Sequence, residues 1–323
     1  SGDTILLSEG DYEVSQPVTV EGKQNIVIDG NGATIKASSA EGASIMSATS
    51  KSIAVAADTQ TDLANNIINV SGATNVTIRN LTIEGALHHG INIWECENVV
   101  LENVTIINSD ATAITINGSN VTLNSVTTSG SGWGGVNVDL GNSGSSEITV
   151  DESCAFGEFL PIYADSEAIA AHITVNVPEN YNKAIVDLTG IGEDGVERVV
   201  WSSTIVETAD ELNSAVVNGG YVILANDVKG VALPSTVTTD ATIYLNNKTL
   251  ISTQTYSTTI SNGATLNFIS GSVEFTGMEA VNASSLVPIS GAAVSLDNVK
   301  LTSNGSALFP RGDAARVEVV NSE

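Results

Sequence analysis

Paired histidines, His88 and His89, stand directly before a short stretch of side chains that can transfer protons, stack and form hydrogen bonds. Imidazoles and carboxylates transfer protons, and tryptophan rings and amides contact the apolar faces and hydroxyl groups of sugars. The residues of these types in this stretch and in two related stretches downstream are Asn92, Trp94, Glu95, Asp110, Asn117, Trp133, Asn137 and Asp139. They form one site only if the elements that carry them lie side by side.

A repeat of nearly constant length supplies those elements. The stretch Asn75-Val-Thr-Ile-Arg-Asn-Leu-Thr-Ile returns at Asn98 and Asn120, and more faintly at Glu147. Each repeat also carries a shorter alternating segment: Gly90-Ile-Asn-Ile, Ala113-Ile-Thr-Ile and Gly135-Val-Asn-Val. Alternation of apolar and polar residues predicts three short strands per repeat, which cannot bury their apolar side alone. Stacked repeats would form three parallel sheets around one apolar interior.

This pattern resembles the right-handed parallel β-helix of the pectate-lyase-like superfamily, and the resemblance covers most of the chain. It implies an all-β solenoid but no single function, because that scaffold carries lyases, hydrolases, epimerases, phage tailspikes and adhesins. The alternation places these residues in the core: Val76, Ile78, Leu81, Ile83, Ile91 and Ile93. Asn80, Asn103 and Asn120 are expected at corners, where Asn tolerates left-handed backbone angles and can bond to the Asn one coil above.

The same alternation predicts a groove on the outer face of the third strands. If Ile91 and Ile93 point inward, Asn92 and Trp94 point outward. On the next two coils, the outward-pointing residues would be Thr115 and Asn117, and then Asn137 and Asp139. Loops that carry His88, His89, Asp110 and Trp133 enter this face. The predicted ligand-binding residues are Asn92, Trp94, Glu95, Asn117, Trp133, Asn137 and Asp139. The alternative is a solvent-facing polar surface with tryptophan rings that merely cover loops.

The chain is expected to hold two such units in tandem. Thr208-Ala-Asp-Glu211 is a capping box, and it predicts a short helix at about 208–218 that ends at Gly219. After it, residues 234–250 parallel residues 17–35. The predicted units are 1–205, with regular coils to about 155 and an irregular closing segment 156–205, and 206–323 with the helix as its cap. The cap of the first unit is expected to lie upstream or to have been removed.

Enzymes of this scaffold have motifs from which the sequence departs. Polygalacturonases use Asn-x-Asp, Asp-Asp, Gly-His-Gly and Arg-x-Lys in that order. Residues 108–110, Asn-Ser-Asp, match the first motif, and residues 88–90, His-His-Gly, resemble the third. They occur in the reverse order along the chain, and the other two motifs do not occur. Pectate lyases need an Arg or Lys base, but Arg79 is the only arginine before residue 198, and its parity places it on another face. No catalytic set is therefore predicted; in an enzyme the candidates would be His88, His89, Asp110 and Asp139.

Charge and composition narrow the partners. The chain has 11 Lys and Arg against 37 Asp and Glu, a net charge of -26, which repels nucleic acid and anionic membranes. No apolar run approaches the roughly 20 residues that span a bilayer. A polyanion such as pectate would need bridging calcium, and no other cofactor is expected. No metal site is predicted either, because adjacent histidines in an extended segment point in opposite directions.

Two smaller features complete the sequence. Cys96 and Cys154 are expected to be small buried residues that do not form a disulfide. Residues 311–313, Arg-Gly-Asp, match an integrin-recognition tripeptide, which is weak evidence without an exposed loop to present it.

The sequence therefore favours a secreted or cell-surface bacterial protein that is adhesin-like, non-catalytic and monomeric. Its expected partner is a polysaccharide or a host cell-surface glycan, bound along the first unit. The alternative is a polysaccharide-active glycoside hydrolase or lyase on the same scaffold.

Overall fold

The computed structural model describes residues 2–38, 63–188, 196–277 and 284–323. Its contacts divide the chain into two compact units, Ser1–Tyr181 with Glu197–Ser202, and Asn182–Val196 with Ser203–Glu323. Residues 182–188, which the sequence assigns to the closing part of the first unit, thus group with the second. The side-chain amide of Asn182 donates a hydrogen bond of 2.9 Å to the carbonyl oxygen of Ile205 in the same unit.

The first unit is a coil of parallel strands. The strands are β1 (Asp3–Leu6), β2 (Asp11–Val14), β3 (Val18–Glu21), β4 (Gln24–Ala37), β5 (Ile68–Ser71), β6 (Thr74–Glu84), β7 (Ile91–Trp94), β8 (Glu97–Ile107), β9 (Thr112–Asn117), β10 (Asn120–Ser129), β11 (Gly134–Asp139), β12 (Ser146–Val150), β13 (Ala155–Phe156), β14 (Ile162–Ala164), β15 (Ile173–Asn176) and β17 (Glu197–Ser202). A short helix, α1 (Glu167–Ala170), precedes β15.

Two sheets of this unit face each other across the interior. One follows the order β1-β4-β6-β8-β10-β12-β15 and the other β17-β14-β11-β9-β7-β5-β3. The long strands β6, β8 and β10 each join the first two predicted strands of a repeat, because the chain bends at a corner residue without leaving the sheet. The predicted β-helix is confirmed, with one long bent strand and one short strand in each of these coils.

The predicted core is also confirmed. All six residues expected to face inward are buried, with 0–3% of their surface exposed. Parallel register stacks like on like, so that Ile78 pairs with Ile28 of the coil before and with Leu101 of the coil after. Burying one such side chain stabilises the fold by about 1.5–3 kcal/mol, so the stacked interior is the main source of the unit's stability.

Asparagine ladders run along the corners. Asn80 and Asn103 both have left-handed backbone angles, with φ of 53°, and the amide of Asn103 donates to Oδ1 of Asn80 at 3.0 Å. The prediction for Asn120 was wrong, because this residue starts β10 and is absent from the left-handed positions. The register places Ser125 level with Asn103, and Ser125 turns this corner with φ of 52°.

A second kind of corner ladder links side chains to the backbone of the coil before. Cys96 Sγ accepts the amide hydrogen of Ala73 at 3.5 Å, Ser119 Oγ that of Cys96 at 2.8 Å, and Ser146 Oγ that of Ser119 at 3.2 Å. Cys96 is 4% exposed. Neither Cys96 nor Cys154 forms a disulfide, and burial raises the pKa of the Cys154 thiol to about 11. Both thiols are therefore structural and poorly reactive.

The predicted capping helix is present in the second unit. Helix α2 (Ala209–Asn218) starts at Thr208, whose side chain accepts the amide hydrogen of Glu211 while the Glu211 carboxylate accepts that of Thr208. Leu212 and Val216 are fully buried. The helix packs on three strands of the unit that follow it in the chain. The strands are β16 (Asn182–Asp187), β18 (Ile205–Val206), β19 (Gly220–Leu224), β20 (Val228–Val231), β21 (Thr236–Val237), β22 (Ala241–Tyr244), β23 (Thr249–Ser252), β24 (Thr258–Ile260), β25 (Thr265–Phe275), β26 (Ser284–Pro288), β27 (Ala293–Ser303), β28 (Ser306–Leu308) and β29 (Arg316–Val320).

Candidate functional site

A groove of about 910 Å³ runs across the coils of the first unit, on the outer face of the sheet from β3 to β14. Each strand contributes two side chains to its floor, because residues two apart point to the same side of a strand. The inner row is Thr19, Asn69, Asn92, Thr115, Asn137 and Tyr163. The outer row is Glu21, Ser71, Trp94, Asn117, Asp139 and Asp165. Neighbouring members of a row stand on strands about 4.8 Å apart.

The inner row forms the bottom of the groove. Its last four members are only 2–8% exposed, and hydrogen bonds between coils fix them. Thr115 donates its hydroxyl hydrogen to Oδ1 of Asn92 at 2.9 Å. The hydroxyl of Tyr163 lies 3.0 Å from that of Thr112. The Tyr163 ring occupies the space above Gly134, where an added Cβ would lie 2.6 Å from Cε1 of the ring.

The outer row is more accessible and carries Trp94 and the charged groups of the floor. Trp94 is 38% exposed. Asp139 and Asp165 stand on neighbouring coils, because β11 pairs with β14 two residues before each of them. Three carboxylates, those of Glu21, Asp139 and Asp165, line the groove together with one guanidinium, that of Arg198. The groove is therefore acidic, in keeping with the charge of the chain.

An ion pair closes one end of the groove. Strand β17 runs antiparallel to β14 and brings Arg198 opposite Asp165, with 3.2 Å between Nε and Oδ1. The Arg198 side chain is 2% exposed and that of Asp165 is 25% exposed. Burial raises the pKa of the Asp165 carboxyl, Arg198 opposes that change, and the charge of Asp139 adds to it. Nε and Nη2 of Arg198 are both buried without a hydrogen-bond partner among the described residues, so the contact with Asp165 is an ion pair between charges.

His89, Thr112 and Trp133 form one wall of the groove. His89 is 2% exposed, and its Nδ1 accepts the amide hydrogen of Thr112 at 3.2 Å, which places the proton of a neutral ring on Nε2. Asn66 Oδ1 accepts the amide hydrogen of His89 at 2.9 Å and lies 3.1 Å from Nδ1 of His88. An oxygen acceptor there requires a proton on Nδ1 of His88.

The two histidine rings lie together, contrary to the expectation that they point in opposite directions. Their centroids are 3.8 Å apart, with an angle of 53° between the planes. The reason is a bend at residues 87–88 that interrupts the extended backbone. The edge of Trp133 contacts both rings, at centroid distances of 5.5 Å from His88 and 5.7 Å from His89. Trp133 therefore lines the groove and also packs against the loop, which combines the two interpretations drawn from the sequence.

Three of the candidate residues do not line the groove: His88, Glu95 and Asp110. Glu95 has a different role, because its Oε1 accepts the amide hydrogens of Asn142 at 2.5 Å and Ser143 at 3.1 Å. These bonds anchor the turn after β11 to Glu95. The other predicted residues do line it: His89, Asn92, Trp94, Asn117, Trp133, Asn137 and Asp139. Arg79 lies on β6 of the opposite sheet, where its Nε donates to Asp29 at 2.8 Å.

The residues at the end of the groove, Tyr163, Asp165 and Arg198, were not predicted from the sequence. Tyr163 and Asp165 continue the alternation of Asn137 and Asp139 one coil further, in Ile-Tyr-Ala-Asp against Val-Asn-Val-Asp. That signal was available, but it falls in the irregular segment after residue 155. Arg198 carries no comparable signal, because β17 reaches the groove by antiparallel pairing outside the repeat.

Within the described parts of the chain, no group of three or more His, Cys, Asp or Glu is arranged to hold a metal ion. The helices in those parts are also too short or too polar to cross a lipid bilayer.

Comparisons with known proteins agree on the fold. Residues 12–153 and 66–176 match the model of a family described as "Right handed beta helix region", and together they cover just over half of the sequence. Solved structures similar to the chain include the catalytic domain of a GH87 alpha-1,3-glucanase in complex with nigerose, at 11% identity and a TM-score of 0.27. A variant of that domain in complex with tetrasaccharides is 11% identical, with a TM-score of 0.29.

The whole chain aligns with 64% of each of these domains. A search of curated proteins found no match to the sequence.

Proposed function

The chain belongs to the right-handed β-helix family, and we propose that the groove of its first unit binds a linear carbohydrate chain that lies in the groove, across successive coils. The observation that carries this proposal is the pair of rows on the groove floor. They present amides, hydroxyls and an exposed tryptophan at a regular spacing of about 4.8 Å. This spacing is comparable to the advance of one sugar residue in an extended polysaccharide, so successive coils can contact successive sugars.

The chemistry of the rows suits pyranose rings. Trp94, 38% exposed on the outer row, offers a face for the apolar side of a sugar. Asn117 stands beside it on the next coil and is partly exposed. Its amide can donate and accept hydrogen bonds at once, as sugar hydroxyls do. A floor already ordered by hydrogen bonds between coils loses little conformational entropy when a ligand binds.

Charge favours a neutral glycan. Three carboxylates against one guanidinium line the groove, and the whole chain has a net charge of -26. An anionic polysaccharide would be repelled unless divalent cations bridged it to the protein. A neutral chain incurs no such cost, and its hydroxyls can bond to Asp139.

We extend the proposal to the biological setting. The protein is secreted or displayed on a bacterial cell surface, where it acts as a monomeric, adhesin-like module that attaches to polysaccharides or host glycans without cleaving them. Calcium is required only if the glycan is acidic.

Affinity measurements with neutral and acidic polysaccharides test this function. The neutral polymers are β- and α-glucans, xylan and mannan, and the acidic polymer is pectate. Each is titrated into the protein while tryptophan fluorescence is recorded. We expect at least one neutral polymer to bind, and Trp94→Ala to weaken binding by about tenfold or more, which corresponds to about 1.4 kcal/mol. Tyr221→Ala is the matched control, because Tyr221 is an aromatic residue, 47% exposed, in the second unit. Binding to no neutral polymer, or undiminished binding by the Trp94 variant, would contradict the proposal.

A second candidate function is hydrolysis of the bound glycan by Asp139 and Asp165. It is favoured by one observation: the pKa of Asp165 is raised, chiefly by burial and additionally by Asp139. Two neighbouring carboxyls, one protonated and one ionised, are the pair that glycosidases use. Against it, Oδ1 of Asp165 is engaged by Arg198 and by the amide of Asn137 at 3.4 Å. Both contacts stabilise the ionised form, which cannot act as a general acid.

The two candidates separate in an activity assay. The binding function predicts no new reducing ends and no unsaturated uronate absorbance after prolonged incubation with a polymer that binds. Turnover that is lost in Asp139→Asn, with binding retained, would establish the hydrolase instead.

A further inference from the structure

The Arg-Gly-Asp tripeptide, Arg311 to Asp313, forms an exposed turn between β28 and β29 of the second unit, remote in sequence from the groove residues. We propose that this turn is a docking site for a cell-surface receptor of the integrin class. Such a receptor presents carboxylates to an arginine and a divalent cation to an aspartate. The structure supplies the exposed loop whose absence weakened the match in the sequence.

All three residues of the tripeptide are exposed, and so are their neighbours Pro310 and Ala314. Gly312 has a φ of 82°, in the left-handed region that favours glycine. The turn thus depends on a residue without a side chain at its centre, which also leaves the backbone open to a partner.

Backbone hydrogen bonds hold the turn against the preceding coil. Arg311 donates its amide hydrogen to the carbonyl of Pro288 at 2.9 Å. In return, the carbonyls of Arg311 and Asp313 accept amide hydrogens from Ser290 at 3.1 Å and Gly291 at 3.0 Å. A turn fixed in this way loses less conformational entropy on binding than a free peptide does.

The charged groups on either side of Gly312 point to the chemistry of the partner. The guanidinium carbon of Arg311 lies 4.8 Å from the centroid of the Phe309 ring, which is 46% exposed, and this cation–π contact keeps the positive charge at the surface. A guanidinium matches two carboxylate oxygens of a receptor. The carboxylate of Asp313 is a hard oxygen ligand for Mg²⁺ or Ca²⁺. One small turn therefore offers both halves of a two-point recognition.

Binding of the full chain to purified integrin-class receptor heads in the presence of Mg²⁺ tests the inference. We expect saturable binding that EDTA abolishes and that a soluble Arg-Gly-Asp peptide competes away, whereas an Arg-Gly-Glu peptide does not. Asp313→Glu, which keeps the charge and adds one methylene, should weaken binding by about tenfold or more. Glu318→Asp is the control, because it makes the reverse change at an exposed position on the neighbouring strand β29.

Three further measurements make the outcome decisive. Arg311→Lys should also weaken binding, since lysine keeps the charge but loses the planar fork. Trp94→Ala should leave receptor binding unchanged, which separates this site from the glycan groove. Circular dichroism should confirm that the variants at the turn fold as the parent does. Failure to bind any receptor head, binding that survives EDTA, or equal binding by Asp313→Glu would overturn the proposal.

Discussion

Replacing Asp165 by alanine should destabilise the first unit more than replacing Arg198 by methionine. The Arg198 side chain is 2% exposed, so the loss of its partner leaves a buried charge uncompensated, at a cost of about 3–5 kcal/mol. The Asp165 side chain is 25% exposed and can contact water or take up a proton. Arg198→Met therefore costs less, about 1–3 kcal/mol, mainly because the carbonyl oxygens of Asp165 and Glu197 lose a donor.

Urea unfolding, monitored by tryptophan fluorescence, measures this difference in stability. The signal reports on the first unit, because all the tryptophans of the chain lie there: Trp94, Trp133 and Trp201. The double variant should lie within about 1 kcal/mol of Arg198→Met alone, since no charge is then left unpaired. Glu97→Ala, at an exposed position of β8, is the control and should change stability by no more than about 0.5 kcal/mol. The reasoning is refuted if Arg198→Met is the more damaging change, or if Asp165→Ala matches the control.

Further predictions concern packing, a corner and pH. Gly134→Ala should lower the free energy of unfolding in urea by about 1–3 kcal/mol and weaken glycan binding, because the added Cβ would clash with the Tyr163 ring. Unchanged stability together with unchanged glycan binding would contradict this. Asn103→Gly should be more stable than Asn103→Ala by about 1 kcal/mol, because φ there is 53°; equal stabilities would show that backbone strain is not the cause. The pKa of the Glu211 carboxyl is lowered from its usual 4.5, chiefly by the hydrogen bond that it accepts from the backbone amide of Glu207. The ionised carboxylate therefore stabilises the fold above pH 4.5, and this contribution is lost as the pH falls through the folded-state pKa. Circular dichroism melts of Glu211→Gln should lack that part of the pH dependence.

Alternation along the strands predicted both the core and the central part of the groove. The reason is geometric: once Ile91 and Ile93 are assigned to the interior, the side chains between them must point outward. Parallel stacking then repeats that assignment on every coil. Pattern alone was therefore sufficient for Asn92, Trp94 and Asp139.

Features outside the repeat needed three-dimensional contacts. Arg198 reaches the groove on an antiparallel strand, and no periodicity links its position to that of Asp165. The histidine rings adjoin because the backbone bends, which alternation does not encode. Asn120 was misassigned because its Asn-Val-Thr match was taken as the corner, whereas the register puts Ser125 there. In each case the outcome depends on a bend, a register or a strand pairing that alternation does not encode.

Each coil contributes one strand to the floor of the groove, and this construction has an evolutionary consequence. Asn98 and Asn75 are equivalent positions 23 residues apart. Duplication or loss of a gene segment encoding one such coil would lengthen or shorten the groove by about 4.8 Å. The strands of the remaining coils would keep their register. Related proteins could thus match binding sites to longer or shorter ligands by recombination alone, without a new fold and without a single point mutation.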